Sequence, residues 1–309
     1  MRLAAVSVDL DEIGSYHAIH GLEAPSSRDA AHLVYDVALD RLRAWASAVR
    51  IPLTLFAVGA DLAHAPSAAG LRATAAEGHE IGNHSQDHLY DLTRRPRAEI
   101  VAQVEEGARS IARATGVSPT GFRAPGYTIT DEVFDVLAEL GVAYDSSVFP
   151  CPAYWGAKTA AIGLIRARGR TSRSVVDDPR VLLAPTSPYR AGAPYWRRGT
   201  GMLELPIQVT RTARLPFIGT TITLAGPTRA SWLARMCVGA PLVNLELHGI
   251  DVLDVDDGLE ALRPHQPDVR VRRARKLDAL SAVHRALAKA GYAFVTLSEA
   301  ADAFRARTS

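Results

Sequence analysis

Short apolar runs alternate with longer amphipathic stretches along most of this chain, and several of the runs end on residues that can carry a proton or hold a metal. Residues 3–9 read as a buried strand, followed by a helical pattern at 29–49 with Leu33, Val37, Leu42 and Trp45 roughly on one side. A strand at 53–58, a helix at 67–77 closed by Gly78 and a strand at 79–82 repeat the order. A helix at 96–115, a strand at 120–123, a helix at 130–140 and a strand at 142–145 continue it. After a break come strand 203–207, helix 228–238, strand 242–247, helix 273–290 and strand 293–297. Such alternation predicts a parallel α/β sheet covered by helices. In a parallel barrel the working residues lie at the C-terminal ends of the strands. Asp9, His84, Arg123, Asp145 and His248 all fall at or just after such ends.

The break spans 150–202, which is rich in Pro, Gly, Arg and aromatic residues and shows no clean period. It is expected to be an irregular insertion over the barrel mouth, since long aperiodic stretches in compact domains tend to be functional or disordered. Its Trp155, Tyr195 and Trp196 could stack on sugar faces. Its arginines, among them Arg197 and Arg198, could hold a phosphate or another anion. With no internal repeat and no low-complexity linker, residues 1–309 are expected to form one domain.

Two motifs suggest chemistry. In Gly82-Asn83-His84-Ser85-Gln86-Asp87-His88 the histidines are four apart, and on a helical turn such positions share a face. In Val6-Ser7-Val8-Asp9-Leu10-Asp11 the two carboxylates are two apart, so a strand points both to one side. Two imidazoles and one carboxylate leave a coordination position open for water, the pattern of a catalytic zinc site.

Composition narrows the classes. The chain is 48% hydrophobic and 22% charged, ordinary for a globular protein with a sizeable core. A net charge of +2 does not suggest a nucleic-acid binder. Cys151 and Cys237 lie far apart and imply no disulfide framework. The opening residues lack a charged leader with an apolar run, and no stretch approaches the ~18 apolar residues of a membrane helix. A cytoplasmic protein is expected, with contact at a membrane surface still open.

Read in order, Asp9-Leu10-Asp11, His84-Ser85-Gln86-Asp87-His88, Phe122-Arg123-Ala124-Pro125-Gly126-Tyr127, Tyr144-Asp145-Ser146-Ser147 and Leu245-Glu246-Leu247-His248 resemble the polysaccharide deacetylase family, also called the NodB-homology or carbohydrate esterase 4 family. The resemblance runs from about residue 3 to about residue 300. It implies a distorted (β/α)7 barrel and one divalent metal on Asp11, His84 and His88. Zinc is expected, with cobalt, nickel or manganese as alternatives. It assigns the general base to Asp9, oriented by a bidentate Arg123. Pro125 has no N–H, so the oxyanion donor falls to Gly126 or Tyr127, and the resemblance favours Gly126. It makes His248 the general acid, paired with Asp145, although Asp251 competes for that place. Substrate contacts are expected from Tyr127, Trp155, Tyr195, Trp196 and Arg197.

Two features depart from the commonest family pattern. The first motif is D-x-D, as in the branch with lipid-linked aminosugar deformylases, and Gly126 stands where many members carry an aromatic residue. The implied reaction is metal-dependent removal of an acetyl or formyl group from an amino sugar or glycoconjugate, the substrate being small or lipid-linked. An allantoinase-like cyclic-amide hydrolase and a carbohydrate-binding homologue without catalysis are the rivals. Both are expected to lose some of these motif residues, and none is missing here. His17 and His20 could touch substrate or metal, His79 is expected to be buried and hydrogen-bonded, and His265 lies near the mouth.

Overall fold

The structure, a computed structural model, describes residues 2–25 and 31–306. Its first strand, β1 (Arg2–Asp9), is buried along all but its first residue. The alternation of side chains splits it between two environments. Val6 and Val8 join the main apolar cluster with residues of the surrounding helices, while Ser7 and Asp9 turn the other way, into the barrel. A short helix, α1 (Ile13–Ile19), follows, and then α2 (Leu39–Val49), which continues a π-helical turn at Val34–Ala38. The first residues of the helix predicted at 29–49 lie outside the described residues.

The units β2 (Thr54–Ala57), α3 (Ala65–Ala76), β3 (Glu80–Asn83), α4 (Arg97–Thr115), β4 (Gly121–Phe122), α5 (Asp131–Glu139) and β5 (Tyr144–Asp145) come next. They are followed by α6 (Pro152–Ala167) and a hairpin of β6 (Tyr189–Ala191) and β7 (Arg198–Glu204). The chain ends with α7 (Gly219–Cys237), β8 (Leu242–His248), α8 (Arg273–Lys289), β9 (Tyr292–Phe294) and α9 (Leu297–Arg305).

The nine strands of the described residues form one sheet in the order β6-β7-β5-β4-β3-β2-β1-β8, with β9 beside the start of β1. Apart from the antiparallel β6–β7 pair, all its pairings are parallel. The wall then curls shut. Beyond β7 the chain keeps bonding to the β5 side through Leu205 N to Asp145 O, while Gln208 N reaches Asn244 O of β8. This is the expected α/β barrel. Leu3, Ala5, Phe56, Tyr144, Leu205 and Leu297 plug one end, so only the other end can hold a site.

The segment 150–202 differs from its prediction as an irregular insertion. It contains the 16-residue α6, none of whose residues is buried. Without a buried face the sequence carries no apolar stripe, which is why the helix left no period. The segment also divides in space. Lys158 Nζ of α6 donates to Gly126 O, and Arg173 N donates to Ala18 O, so its first half lies at the mouth. The hairpin packs elsewhere, with Tyr195 stacked on Phe134 of α5. Two further elements differ from the sequence reading. The last strand stops at Phe294, and α9 starts behind a Thr296–Glu299 capping box. The helix predicted at 228–238 begins at Gly219 and bends at Gly226, just before Pro227.

Candidate metal and catalytic site

Register brings the polar groups together at the open end. On β8 the alternation sends Asn244, Glu246 and His248 inward, and pairing sets Glu246 opposite Ser7 and His248 opposite Asp9. Asp11 lies two residues beyond β1. Its Oδ1 is 3.2 Å from Nε2 of His84 and 3.2 Å from Nε2 of His88. His84 is oriented from behind, its Nδ1 lying 2.7 Å from Arg123 O. That contact directs Nε2 at the carboxylate, as a metal-binding histidine requires.

The two histidines converge by a different route from the one predicted. Residues 84–88 are a loop and not a helical turn, with positive φ at Ser85 (69°) and His88 (51°). The physical cause is a set of competing hydrogen bonds. Ser85 N donates to Asn83 Oδ1, Gln86 N donates to Gln103 O of α4, and His88 N donates to Ser85 Oγ. Gly59 N and Ala60 N take the carbonyls of Ser85 and Gln86. With these groups bound to side chains and neighbouring segments, no i→i−4 ladder can form.

Arg123 is fully buried, and its guanidinium donates four hydrogen bonds. Nη1 reaches Asp9 Oδ1 at 2.7 Å, Nη2 reaches Ser7 Oγ and Ser146 Oγ, and Nε reaches Ser146 O. The pair with Asp9 is therefore single, not bidentate, because the second arm of the fork is taken by serines. Asp9 Oδ2 stays without a partner, 3.7 Å from His84 Nε2. The motif Asp145-Ser146-Ser147 acts as a buckle for the Arg123 loop. Ser147 Oγ accepts from Ala124 N and donates to Asp145 Oδ1, while Asp145 Oδ2 accepts from Ser147 N. Asp145 lies opposite Glu204 in the sheet, and burial pushes both carboxyls up from their ordinary range.

Asp145 is thus committed away from His248, and no contact joins the two among the described residues. The Asp251 carboxylate holds the backbone of His248, accepting from its N at 2.8 Å, in a capping box that also sets the Asp251 backbone N–H against the His248 side chain. The carboxylate beside the His248 ring is Glu246, whose Oε1 lies 3.0 Å from Nδ1. Burial works against a charge on His248, but Glu246, with Asp11 and Asp9 behind it, outweighs burial and holds its pKa well above the ordinary imidazole range. The sequence reading passed over Glu246. Its signal was available, since i and i−2 share a face on a strand.

The loop after Pro125 narrows the oxyanion donors. Tyr127 N is already bonded to Ala124 O, and Gly126 adopts a positive φ of 64°. Tyr127 reaches the site through its hydroxyl, 3.3 Å from His248 Nε2. Tyr90 and Tyr16 also pack edge-on against His88 and His248.

The other predicted substrate residues are not gathered here. Tyr195 is 1% exposed and belongs to the core cluster around Phe134. Trp196 lies edge-on to Tyr195 with Arg180 over its ring, and the exposed Arg197 donates from its backbone N to Pro194 O in the same hairpin. Trp155 donates Nε1–H to Asp177 O and packs against the same cluster. His17 Nδ1 contacts Glu23 O and His20 Nε2 contacts Gln266 Oε1, with His265 beside it. Neither His17 nor His20 belongs to a metal-competent group among the described residues. His79 is half-buried and accepts from Leu53 N. The arginines near the site are instead Arg94, Arg95 and Arg173, lining a cleft of about 650 Å³ that opens beside His88.

The fold and the site together define an α/β barrel with a candidate divalent-metal triad at its open end. Residues 39–144 match the sequence model described as polysaccharide deacetylase. Over 95 residues the chain is 36% identical to a chitooligosaccharide deacetylase of Bradyrhizobium sp. (strain ANU 289), covering 30% of this chain and 42% of the relative. It is 35% identical over 95 residues to one of Sinorhizobium fredii, covering 30% and 43%. The chain thus spans less than half the length of the curated relatives it matches. Among solved structures, a polysaccharide deacetylase from Mycobacterium smegmatis, itself described as putative, superposes with a TM-score of 0.63 at 18% identity, covering 99% of this chain and 91% of that one. A CE4 family pseudoenzyme from Bacillus anthracis gives a TM-score of 0.52 at 12% identity, covering 96% and 64%. These likenesses establish the fold. The family match includes His84, His88 and Arg123 but stops short of Asp9, Asp11 and His248, which rest on the geometry described above.

Proposed function

We propose that this protein is a metal-dependent hydrolase that removes an N-acyl group, acetyl or formyl, from an amino sugar or glycoconjugate. One observation carries the reading. Asp11 Oδ1, His84 Nε2, His88 Nε2 and Asp9 Oδ2 are all buried at the barrel mouth without hydrogen-bond partners. A buried polar atom left unpaired costs about 1–3 kcal/mol, more if charged, and folded proteins hold few of them. A cluster at one point fits a cation. The donor set of two imidazoles and a carboxylate suits zinc, with cobalt, nickel and manganese as alternatives. Asp11, His84 and His88 would hold the ion. Bound there, it would supply Lewis-acid polarisation of the acyl carbonyl and acidify water.

The chain's own residues do the rest. Asp9 is anchored through Oδ1 to Arg123, so its free Oδ2 has one direction from which to take a proton from the attacking water. Arg123, locked by four bonds, keeps that direction fixed. The N–H of Gly126 is the donor left for the oxyanion, since that of Tyr127 is used. His248 presents Nε2 toward Asp11, at 3.8 Å from Oδ2, where it can give a proton to the departing amine. The names of the curated relatives support an N-acetylated sugar as substrate. If the glycoconjugate is anionic, as in a lipid-linked phosphate, the cleft arginines Arg94 and Arg173 are better placed for it than Arg197 and Arg198.

The test is release of acetate and formate from N-acyl glucosamine oligomers, compared between the wild-type protein and His88→Ala. The reading expects one of the acids to be released by the first and neither by the second. Equal release by both proteins would overturn it.

A further inference from the structure

We infer that Glu246 is the positioning residue for His248: it accepts the Nδ1 proton, fixes the ring tautomer and so presents Nε2 to the leaving amine. This rests on the general-acid reading of His248 given above.

Glu246 and His248 are two apart on β8 and both turn into the barrel, opposite Ser7 and Asp9. Their separation is 3.0 Å between Oε1 and Nδ1. Glu246 is fully buried, and neither of its oxygens has a hydrogen-bond partner among the described residues. A carboxylate so placed is costly unless it takes a proton donor. Its other cationic neighbour, Arg123, spends its arms on Asp9, Ser7 and Ser146. The imidazole is therefore the donor within reach.

The opposite ring nitrogen completes the geometry. Nε2 is 3.3 Å from the Tyr127 hydroxyl and 3.8 Å from Asp11 Oδ2, so it faces the reacting region. With Nδ1–H tied to Glu246, a proton carried at Nε2 passes to the amine nitrogen as its bond to the acyl carbon breaks. Nε2 is left with the lone pair, and Nδ1 keeps its proton throughout. A carboxylate behind an imidazole does this work in other acyl-transfer sites, where the neutral amide replacement favours the wrong tautomer.

A rival use exists for the same atoms. Asp9, Glu246 and His248 lie close enough to form a second metal group. Charge argues against it. With one divalent ion on the Asp11 group, Arg123 and the protonated His248 would already more than balance the carboxylates of Asp9, Asp11 and Glu246. A second divalent ion would leave a buried excess of positive charge.

The experiment pairs Glu246→Gln with His248→Ala. Glu246→Gln should keep one bound ion per chain and nearly unchanged KM, while kcat falls by about 10²–10⁴-fold. In a His248→Ala background the same change should cost nothing further, because the two residues act as a unit. Nitrogen-15 NMR of the wild-type protein provides a readout that needs no activity. It should show a protonated, hydrogen-bonded Nδ1 on His248, and this also decides the matter if the variant fails to fold. Wild-type kcat in Glu246→Gln, an equal loss in both backgrounds, an unprotonated Nδ1, or two ions per wild-type chain falling to one in the variant would each overturn the inference. A wild-type protein that releases no acyl group defeats the enzyme reading instead, and the NMR result then still decides the Glu246 contact.

Discussion

Replacing Gly107 by Ala tests how the metal loop is positioned, because it reverses an expected sign. Gly107 lies within α4 and faces the loop that carries both histidines. A Cβ there would stand 2.5 Å from Asn83 Oδ1, 2.8 Å from the Ser85 carbonyl carbon and 3.0 Å from Gln86 N. Ordinary carbon contacts are about 3.5–4.0 Å, so the loop would have to retreat by the better part of an ångström. Much of what must move is backbone already bonded to Gln103 O and to Gly59 N. Overpacking of this kind costs about 1–3 kcal/mol. Alanine in a helix interior returns about 1 kcal/mol relative to glycine. The expected net is a loss of about 1 kcal/mol, or a Tm lower by roughly 2–4 °C. Gly163 in α6 is the matched control, since a Cβ there meets nothing within 4 Å. Gly163→Ala should stabilise by up to about 1 kcal/mol. Displacing a loop that orients two ligands should also weaken ion binding by about 10–100-fold. Thermal melts of the ion-free proteins and ion titrations of both variants measure the two effects. If Gly107→Ala is as stabilising as Gly163→Ala and binds the ion as tightly as wild type, the account of this loop is wrong.

Two other predictions follow from named groups. Asp9→Asn should keep the bound ion but lose about 10²–10⁴-fold in kcat, because the amide cannot take a proton; near-normal turnover would remove Asp9 from the base role. Asp177 is pushed up to about 7 by burial, which Lys158 only partly opposes. Its folded pKa lies above the unfolded value, so its contribution is fully present at low pH and is lost as pH rises to about 7. Asp177→Asn removes that dependence, so its Tm relative to wild type should be higher at pH 8 than at pH 4; the same difference at both would contradict the shift.

Much of the site is legible in the sequence because strands alternate. Asp9 and Asp11 share a side for that reason, and the same rule applied to β8 would have paired Glu246 with His248. The family pattern pointed to Asp145 instead, and here Asp145 is drawn into the Ser147 buckle and the contact with Glu204. The histidine loop is harder to read. Its shape depends on Gln103, a residue of the next helix, whose backbone and side chain bind the loop. The spacing of four suggested a helical turn, and tertiary hydrogen bonds overrode it. Tyr195, Trp196 and Arg197 show the limit of composition: a run of aromatics and arginines reads the same whether it covers a barrel mouth or packs a hairpin on α5. The helix α9 was overlooked although Thr296 and Glu299 carried its capping signal, whereas α6, with every face partly exposed, left no stripe to find.

The most direct test of the central claim is a titration of divalent ion into chelator-stripped protein, with acyl release from an N-acylated amino sugar as the readout. The account predicts that the stripped protein is inactive and that zinc restores activity along a line that breaks at one equivalent per chain. Activity that survives stripping, or a restored line that breaks at two equivalents, would contradict it.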